Sequence, residues 1–171
     1  MFAGPLAAQD MSQADKLDGL FERLKVPDLA EWDYIERQIE REWSHSGSAA
    51  MDLLLQRGRK AMQDEDYQTA VEHFSALIDH APDFAEGYNA RATAFFAMEV
   101  YSLALADVRA TLALEPRHFN AWRGLGIMME QMGRTELARR AFRQAAAIHP
   151  NDPAIKEQLE RLERQTGELD T

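Results

Sequence analysis

The sequence predicts an all-α protein, and two observations carry that prediction. The 171 residues include 27 Ala but only 16 Val, Ile and Thr together. The chain is therefore rich in the best helix former and poor in the β-branched residues that favour strands. Three prolines, Pro82, Pro116 and Pro150, also stand at equal intervals along the chain. Equal spacing of this length, about 34 residues, is typical of an array of repeated helical units.

Residues 1–11 are predicted to form a flexible leader. The segment Pro5-Leu6-Ala7-Ala8-Gln9 resembles the small-residue end of a secretory signal peptide, although what precedes it is short and has no basic start. We therefore expect a periplasmic location, and the alternative is a cytoplasmic protein with a flexible leader.

Residues 12–48 predict an N-terminal hairpin of two amphipathic helices. Ser12 and Asp28 are placed to cap them, and Pro27 ends the first. The first helix would bury Leu17, Leu20, Phe21 and Leu24, and the second carries one apolar stripe of Trp32, Ile35, Ile39 and Trp43. We expect the hairpin to stack on the first of the repeats that follow. The alternative is a free amphipathic helix that enters a groove of the array or lies on a membrane, although its many acidic residues disfavour anionic lipid.

Residues 49–152 contain three repeats, which align as 51–84, 85–118 and 119–152. A small residue recurs on the first helix of each repeat, and another recurs on the second helix; they are Gly58, Ala92 and Gly126, then Ala70, Ala104 and Ala138. Small residues at facing positions let two antiparallel helices approach closely. Each proline then ends the second helix, because it has no backbone N–H to donate. The first helices are predicted to begin near Ala49, Ala85 and Phe119.

The third repeat shows the pattern most fully. It reads Trp122-x2-Leu125-Gly126-x2-Met129, then Ala138-x3-Phe142, then Pro150. This resembles the tetratricopeptide repeat, whose signature is W-x2-L-G-x2-Y, A-x3-F and P on a period of about 34 residues. The resemblance covers about three-fifths of the chain, with departures at Arg57 and Arg91, where the signature has Leu. It implies a right-handed α-solenoid whose concave face is lined by the first helix of each repeat. The overall arrangement, with a Trp-rich hairpin before the repeats, is also similar to exported repeat proteins of Gram-negative bacteria, which favours the periplasmic location.

The C-terminal part predicts a capping helix over residues 153–166, followed by a flexible tail over 167–171. Asp152-Pro153 is a typical helix start. Ile155, Leu159 and Leu162 form one narrow apolar stripe on an otherwise charged helix. A terminal cap needs that distribution, because one face covers the last repeat and the others face water.

The sequence offers no candidate residues for catalysis. We therefore predict that the protein is not an enzyme and has neither a cofactor nor a metal site. The chain has no Cys, its five His residues show no metal-ligand spacing, and its nine Gly residues form no phosphate-binding loop. We expect the His residues beside the repeat prolines to pack within loops. The net charge of −10 disfavours nucleic acid, and no stretch approaches the ~20 apolar residues that span a membrane.

The tetratricopeptide resemblance implies that the chain binds a peptide or protein segment on its concave face. The groove positions are the second, fifth and ninth of each repeat, and the predicted binding residues among them are Arg59, Asn89, Thr93, Asn120 and Arg123. Side chains of this kind bind the backbone or the carboxylates of an extended ligand. The family's clamp for a C-terminal carboxylate is not predicted, because Gly124 stands where a basic residue belongs and no lysine lines the groove.

Charge is distributed unevenly along the chain. Residues 1–50 hold five basic and ten acidic residues, whereas residues 117–143 hold six arginines and two acidic residues. The arginine-rich segment is either a solvated surface or a docking patch for an acidic partner. A groove ligand would accordingly place its basic end toward the N-terminal half and its acidic end toward the third repeat. The rival class of function is a self-associating spacer without a groove ligand, and the oligomeric state is left open.

Overall fold

The computed structural model describes the backbone of residues 12–169 and the side chains of residues 12–165, and helices are the only regular secondary structure in this part of the chain. The predicted leader over 1–11 lies outside the described residues. Nine helices follow one another within the described part: Gln13–Leu24 (α1), Trp32–Trp43 (α2), Ala49–Gln63 (α3), Tyr67–His80 (α4), Ala85–Ala97 (α5), Tyr101–Leu114 (α6), Phe119–Gln131 (α7), Thr135–Ile148 (α8) and Pro153–Leu169 (α9). The predicted all-α fold is confirmed.

Three helix pairs form the repeats of the α-solenoid: α3 with α4, α5 with α6, and α7 with α8. Their first helices begin at Ala49, Ala85 and Phe119, as predicted. The predicted close approach within a pair is visible at Gly126, where an added Cβ would lie 2.7 Å from a ring carbon of Phe142. The glycine therefore gives the aromatic ring the space it fills in the core.

The turn inside each repeat has the same backbone conformation. Glu65, Glu99 and Gly133 have φ values of 59°, 61° and 68°, and each stands one full repeat after the one before. A left-handed residue directly after a helix is a common way to end it. The three repeats therefore agree to within 9° in the φ angle of this turn residue.

The N-terminal hairpin packs against the third repeat, so the predicted stacking on the first repeat is wrong. Leu17, Phe21, Leu24, Ile35, Ile39 and Trp43 form one buried cluster with Phe119 at the start of α7. The side-chain amide of Asn151 donates to the backbone oxygens of Leu24 at 2.8 Å and Val26 at 2.9 Å. The physical reason is that Phe119, at the start of α7, supplies apolar surface to the hairpin stripe and is fully buried against it.

The predicted caps of the hairpin give one confirmation and one correction. The Ser12 hydroxyl accepts from the Asp15 N–H at 3.2 Å, and the Asp15 carboxylate accepts from the Ser12 N–H. Asp28 does not cap α2, because its φ of 55° places it in the left-handed region within the turn. The helix begins at Trp32, and its N-cap residue Glu31 makes no side-chain cap.

Helix α9 covers the end of the array, as predicted. Leu162 is fully buried in a cluster with Ala138 and Phe142, and the Asp152 carboxylate accepts from the Ala154 N–H at 2.7 Å. The helix extends to Leu169, three residues beyond the predicted end, so only residues 170–171 of the predicted tail lie outside the described residues. Among the helices described, none is long and apolar enough to cross a membrane.

Candidate functional site on the concave face

The concave face is formed by the first helices of the three repeats, α3, α5 and α7. All five predicted binding residues belong to these helices: Arg59 to α3, Asn89 and Thr93 to α5, and Asn120 and Arg123 to α7. The structure joins Arg59 and Asn89 through one buried carboxylate. It joins Asn120 to the N-terminal hairpin and Arg123 to the turn before α9.

The buried carboxylate is that of Glu86, which is 8% exposed at the start of α5. One of its oxygens accepts from the Arg59 guanidinium at 2.6 Å. The other accepts from the Asn89 amide at 3.1 Å and lies 3.0 Å from Nε2 of His118. Since Nδ1 of His118 accepts from the backbone N–H of Ala121, the ring proton is on Nε2 and is donated to Glu86.

This arrangement keeps Glu86 ionised. Burial alone would raise the pKa of the Glu86 carboxyl, but the hydrogen bond from His118 and the charge of Arg59 outweigh burial and hold that pKa below its ordinary value. The result is a fixed negative charge that links all three repeats, since Arg59, Glu86 and His118 belong to consecutive first helices or their N-caps.

Helix α2 lies across part of the concave face. Its Glu40 carboxylate accepts from the Asn120 amide at 2.8 Å, and the hydroxyl of Ser44, just after α2, accepts from Arg59 at 3.0 Å. The indole of Trp43 stacks on the His118 ring, with centroids 4.0 Å apart and planes 9° apart. The face therefore already binds one amphipathic helix, and it does so through residues of the predicted groove.

The N-terminal end of α2 meets a second group of polar residues, of which Asp152 and His149 are buried. Arg123 pairs with Asp152 at 3.4 Å, and Glu36 lies 4.0 Å from the buried His149 ring. Burial, with the nearby carboxylates of Glu40 and Asp152, raises the pKa of Glu36 to about 7. Burial also lowers the pKa of His149, against the attraction of Asp152. Glu36 is therefore partly protonated near neutral pH.

A cavity of about 450 Å³ remains between α2 and the first helices. Its lining includes three arginines, two carboxylates and the aromatic Trp43; the polar lining residues are Arg37, Arg41, Arg59, Glu40, Glu86, Ser44 and Asn120. The indole N–H of Trp43 and the side-chain oxygen of Asn120 are buried without a protein partner. Both groups belong to residues that line this cavity.

Thr93 and Asn89 extend the site beyond the hairpin. Thr93 is exposed, and its hydroxyl donates to the Asn89 backbone oxygen at 3.1 Å within α5. The arginines of α8, which are Arg139, Arg140 and Arg143, lie outside the concave face. The prediction that a groove ligand places its acidic end toward the third repeat therefore loses most of its support, because the charge of Arg123 is already paired with Asp152.

Comparison with known proteins assigns the family. The family model described as tetratricopeptide repeat matches residues 55–99 and 89–153. This chain belongs to the tetratricopeptide repeat family. A repeat-containing protein of Rhizobium etli is similar to it, at 35% identity over 154 residues that cover 88% of this chain and 74% of that protein. Seven further curated relatives are much longer, and this chain spans only 12 to 33% of their lengths.

Solved tetratricopeptide domains share the fold. The Sgt2 domain from Aspergillus fumigatus is similar at a TM-score of 0.67 and 24% identity, over 72% of this chain and 83% of that one. The Yersinia enterocolitica type III secretion chaperone SycD, solved with a peptide of the translocator YopD, has a TM-score of 0.65 at 17% identity, over 70% of this chain and 96% of that one.

The site also contains two residues that the sequence alone does not single out. Glu86 stands at a groove position of the tetratricopeptide pattern, but an acidic residue in an acidic chain carries no signal of burial. His118, expected only to pack within a loop, is buried in the turn before α7 and is also bonded to Glu86. Their separation in sequence, close to one repeat, is the one signal that they meet. In the part of the chain that is described, no group of three or more His, Asp and Glu residues could hold a metal ion.

Proposed function

We propose that this chain is a non-enzymatic protein-interaction module that binds a peptide or protein segment on its concave face, in the cavity beside α2. The observation that carries the proposal is the docking of α2 itself. Asn120, Arg59 and the ring of His118 bind a helix of the same chain. A face that binds one segment through side chains from three repeats is built for segment recognition.

The hairpin acts as a fixed wall of this site and is not a ligand awaiting exchange. Detaching α2 would expose Ile35, Ile39 and Trp43, which are all buried. Each such side chain contributes about 1.5–3 kcal/mol through burial, so release would cost several kcal/mol before a partner gained any contact. A partner therefore binds next to α2, in the cavity and along the exposed part of α5 around Thr93.

The chemistry of the cavity favours a partner that offers hydrogen-bond acceptors. Glu86 is already saturated by Arg59, Asn89 and His118. Arg41 is exposed and has no ion pair within the described residues. Carboxylates or backbone carbonyls of an extended segment match such a guanidinium. The peptide complex of the fold relative SycD supports a peptide as the class of ligand.

The test is photo-cross-linking with a photoreactive residue in place of the exposed Thr93. A partner cross-linked in cells of the source organism is expected to be lost when Asn89→Ala is combined with Arg41→Glu. The matched control is Arg164→Glu, an equal charge change on an exposed residue of α9, which is expected to leave the adduct intact. An adduct that survives the double variant would contradict the proposed site.

The rival function, a self-associating spacer, predicts a different result. Light scattering of the purified protein would then show a mass that rises with concentration, and the Thr93 adduct would be the chain cross-linked to a second copy. For the proposed module we expect a mass that is independent of concentration and an adduct with another protein.

A further inference from the structure

A second groove lies on the opposite side of the third repeat, between the second helices α6 and α8. Helix α7 forms its floor, and its volume is about 490 Å³. The apolar lining comes from Leu105, Trp122, Leu125, Met129 and Leu137, and Leu137 is 44% exposed. Three arginines, Arg109, Arg140 and Arg143, also line the groove. The volume falls within the about 300–1,000 Å³ that is usual for binding pockets.

The same groove one repeat earlier is filled by an ion pair. Arg91 on α5 donates to both carboxylate oxygens of Asp107 on α6, at 2.7 and 2.8 Å, and to the Ser75 hydroxyl on α4 at 3.0 Å. Its guanidinium also lies over the rings of Tyr88 and Phe95. The two partners are only 20% and 7% exposed, so the pair closes the space between α4 and α6.

A shift of one repeat along the sequence shows how the second groove opens. Leu125 stands at the position equivalent to Arg91, and Ala141 at the position equivalent to Asp107. The ion pair is therefore absent from the third repeat, and its place is taken by two shorter apolar side chains. Arg109 replaces Ser75, and among the described residues it has no ion pair. The shift thus converts a closed, internally paired groove into an open apolar one with a basic rim.

The charge of the rim selects the kind of ligand. Arg140 pairs with Glu136 at 3.3 Å and is 71% exposed, and Arg143 pairs with Glu163 at 2.8 Å. Exposed ion pairs of this kind contribute little to stability, so the arginines remain available to bind a ligand. A polyanion such as nucleic acid would be repelled by the net charge of −10. A segment with apolar side chains on one face and a few carboxylates on the other matches both floor and rim.

We infer that the groove between α6 and α8 is a docking surface for an apolar, acidic segment of another protein. It is separate from the concave face, because its three arginines belong to the second helices α6 and α8 and it shares no lining residue with the cavity beside α2. On this inference Arg140 and Arg143 of the third repeat bind a partner, whereas on a solvated surface they would only face water. The chain would hold two segments at once, one on each side of α7.

The probe is a fluorescent amphipathic peptide of about four helical turns, with leucines on one face and glutamates on the other, followed by fluorescence anisotropy. We expect it to bind the full chain and to bind at least about tenfold more tightly than the same peptide with lysine in place of glutamate, which is a difference of about 1.4 kcal/mol. Equal binding of the two peptides, or no binding of the glutamate peptide, would overturn the inference.

Two variants locate the binding. Leu125→Arg with Ala141→Asp transplants the ion pair from the preceding repeat and is expected to weaken binding at least about tenfold. Arg109→Glu with Arg140→Glu changes only exposed residues, so it tests the rim even if the first variant fails to fold. Its matched control is Arg134→Glu with Arg164→Glu. A similar loss of affinity in the control would show general charge attraction and overturn the inference.

Two further outcomes distinguish this groove from the concave face and from a dimer interface. Arg41→Glu, in the concave face, is expected to leave peptide binding unchanged, so the two proposals fail independently. If the unaltered chain is a dimer that the Arg109 and Arg140 substitutions dissociate, the groove is an interface between copies, and the inferred partner is wrong.

Discussion

Gly126 shows how one missing side chain sets the distance between two helices. A Cβ on Gly126 would lie 2.7 Å from the buried ring of Phe142, whereas a Cβ on Gly124, two residues earlier in the same helix, would meet no atom within 4 Å. Gly126→Ala is therefore expected to destabilise the protein by about 1–3 kcal/mol through overpacking. Gly124→Ala is expected to stabilise it by about 0.5–1 kcal/mol, since it removes helix-interior glycine entropy.

Urea denaturation followed by circular dichroism measures both glycine variants against the unaltered chain. Because the two substitutions have identical chemistry and lie in one helix, helix propensity cancels between them. Equal denaturation midpoints would mean that the Phe142 ring moves aside, and that close packing at Gly126 does not limit the repeat.

The raised pKa of Glu36 predicts that the stability of the protein falls as pH rises toward neutrality. Its folded pKa is about 7 against an ordinary value of 4.5, because it is buried beside Glu40 and Asp152. A raised folded pKa means that the folded state binds more protons than the unfolded state between pH 4.5 and 7. The contribution of Glu36 to stability is therefore fully present below the ordinary pKa and is lost as pH rises through the folded pKa.

The measurement is the free energy of unfolding from about pH 5 to pH 8 for the unaltered chain and for Glu36→Gln, which mimics the protonated acid. The variant is expected to gain stability relative to the unaltered chain as pH rises, by up to about 3 kcal/mol at the upper end. The lowered pKa of His149 acts oppositely, because it reduces stability as pH falls below 6.5. Both proteins contain His149, so the opposite slope from its burial is present in both curves. A constant difference across this range would contradict the prediction.

At the scale of elements, Trp43 is one of the three buried side chains that hold α2 against the array. This side chain is 7% exposed, stacks on His118 and contacts Phe119 with ring centroids 5.0 Å apart. Trp43→Ala is expected to cost about 3–5 kcal/mol, as is usual for a large aromatic side chain removed from a core. Tyr34→Ala, on the same helix but 51% exposed, is the control and is expected to change stability by less than about 0.5 kcal/mol.

The melting temperatures of these two variants, compared in parallel, show whether α2 is part of the core. If Trp43→Ala and Tyr34→Ala melt together, the hairpin is peripheral, and α2 is not a fixed wall of the concave site.

The elements differ in how far the sequence determines them. The three repeats could be predicted because each packs on its neighbour in the chain, so spacing alone sets small residues such as Gly126 against large ones such as Phe142. The position of the hairpin could not, because the stripe containing Ile35 and Ile39 shows that α2 is buried but not against which surface. The concave positions follow from the repeat pattern, yet the charge of Arg123 is paired with a residue outside α7, in the turn before α9. Spacing within a repeat carries no information about such a contact.

At the scale of the whole molecule, the hairpin changes the physics of a repeat array. Stacked repeats normally contact only their neighbours, so their stability is a sum of local terms. Here Asp18 pairs with Arg117 at 2.6 Å, and Asn151 donates to Leu24 from the far end of the array. The N-terminal segment thus bridges the turns before α7 and before α9. We expect the described part of the chain to unfold as one cooperative unit.

Native-state hydrogen exchange tests this closure with the Trp43→Ala variant. In a simple array the loss of protection would be confined to α2 and its neighbour α3. The bridge predicts a different pattern, in which amides of α7 and α8 lose protection along with α2, because Phe119 and His149 pack against the hairpin. In one cooperative unit the amides of α4 lose protection as well, although no α4 side chain belongs to the hairpin cluster. Protection in α7 and α8 that stays at the level of the unaltered chain would show that the repeats are stable without the bridge, and the solenoid would then behave as a one-dimensional array.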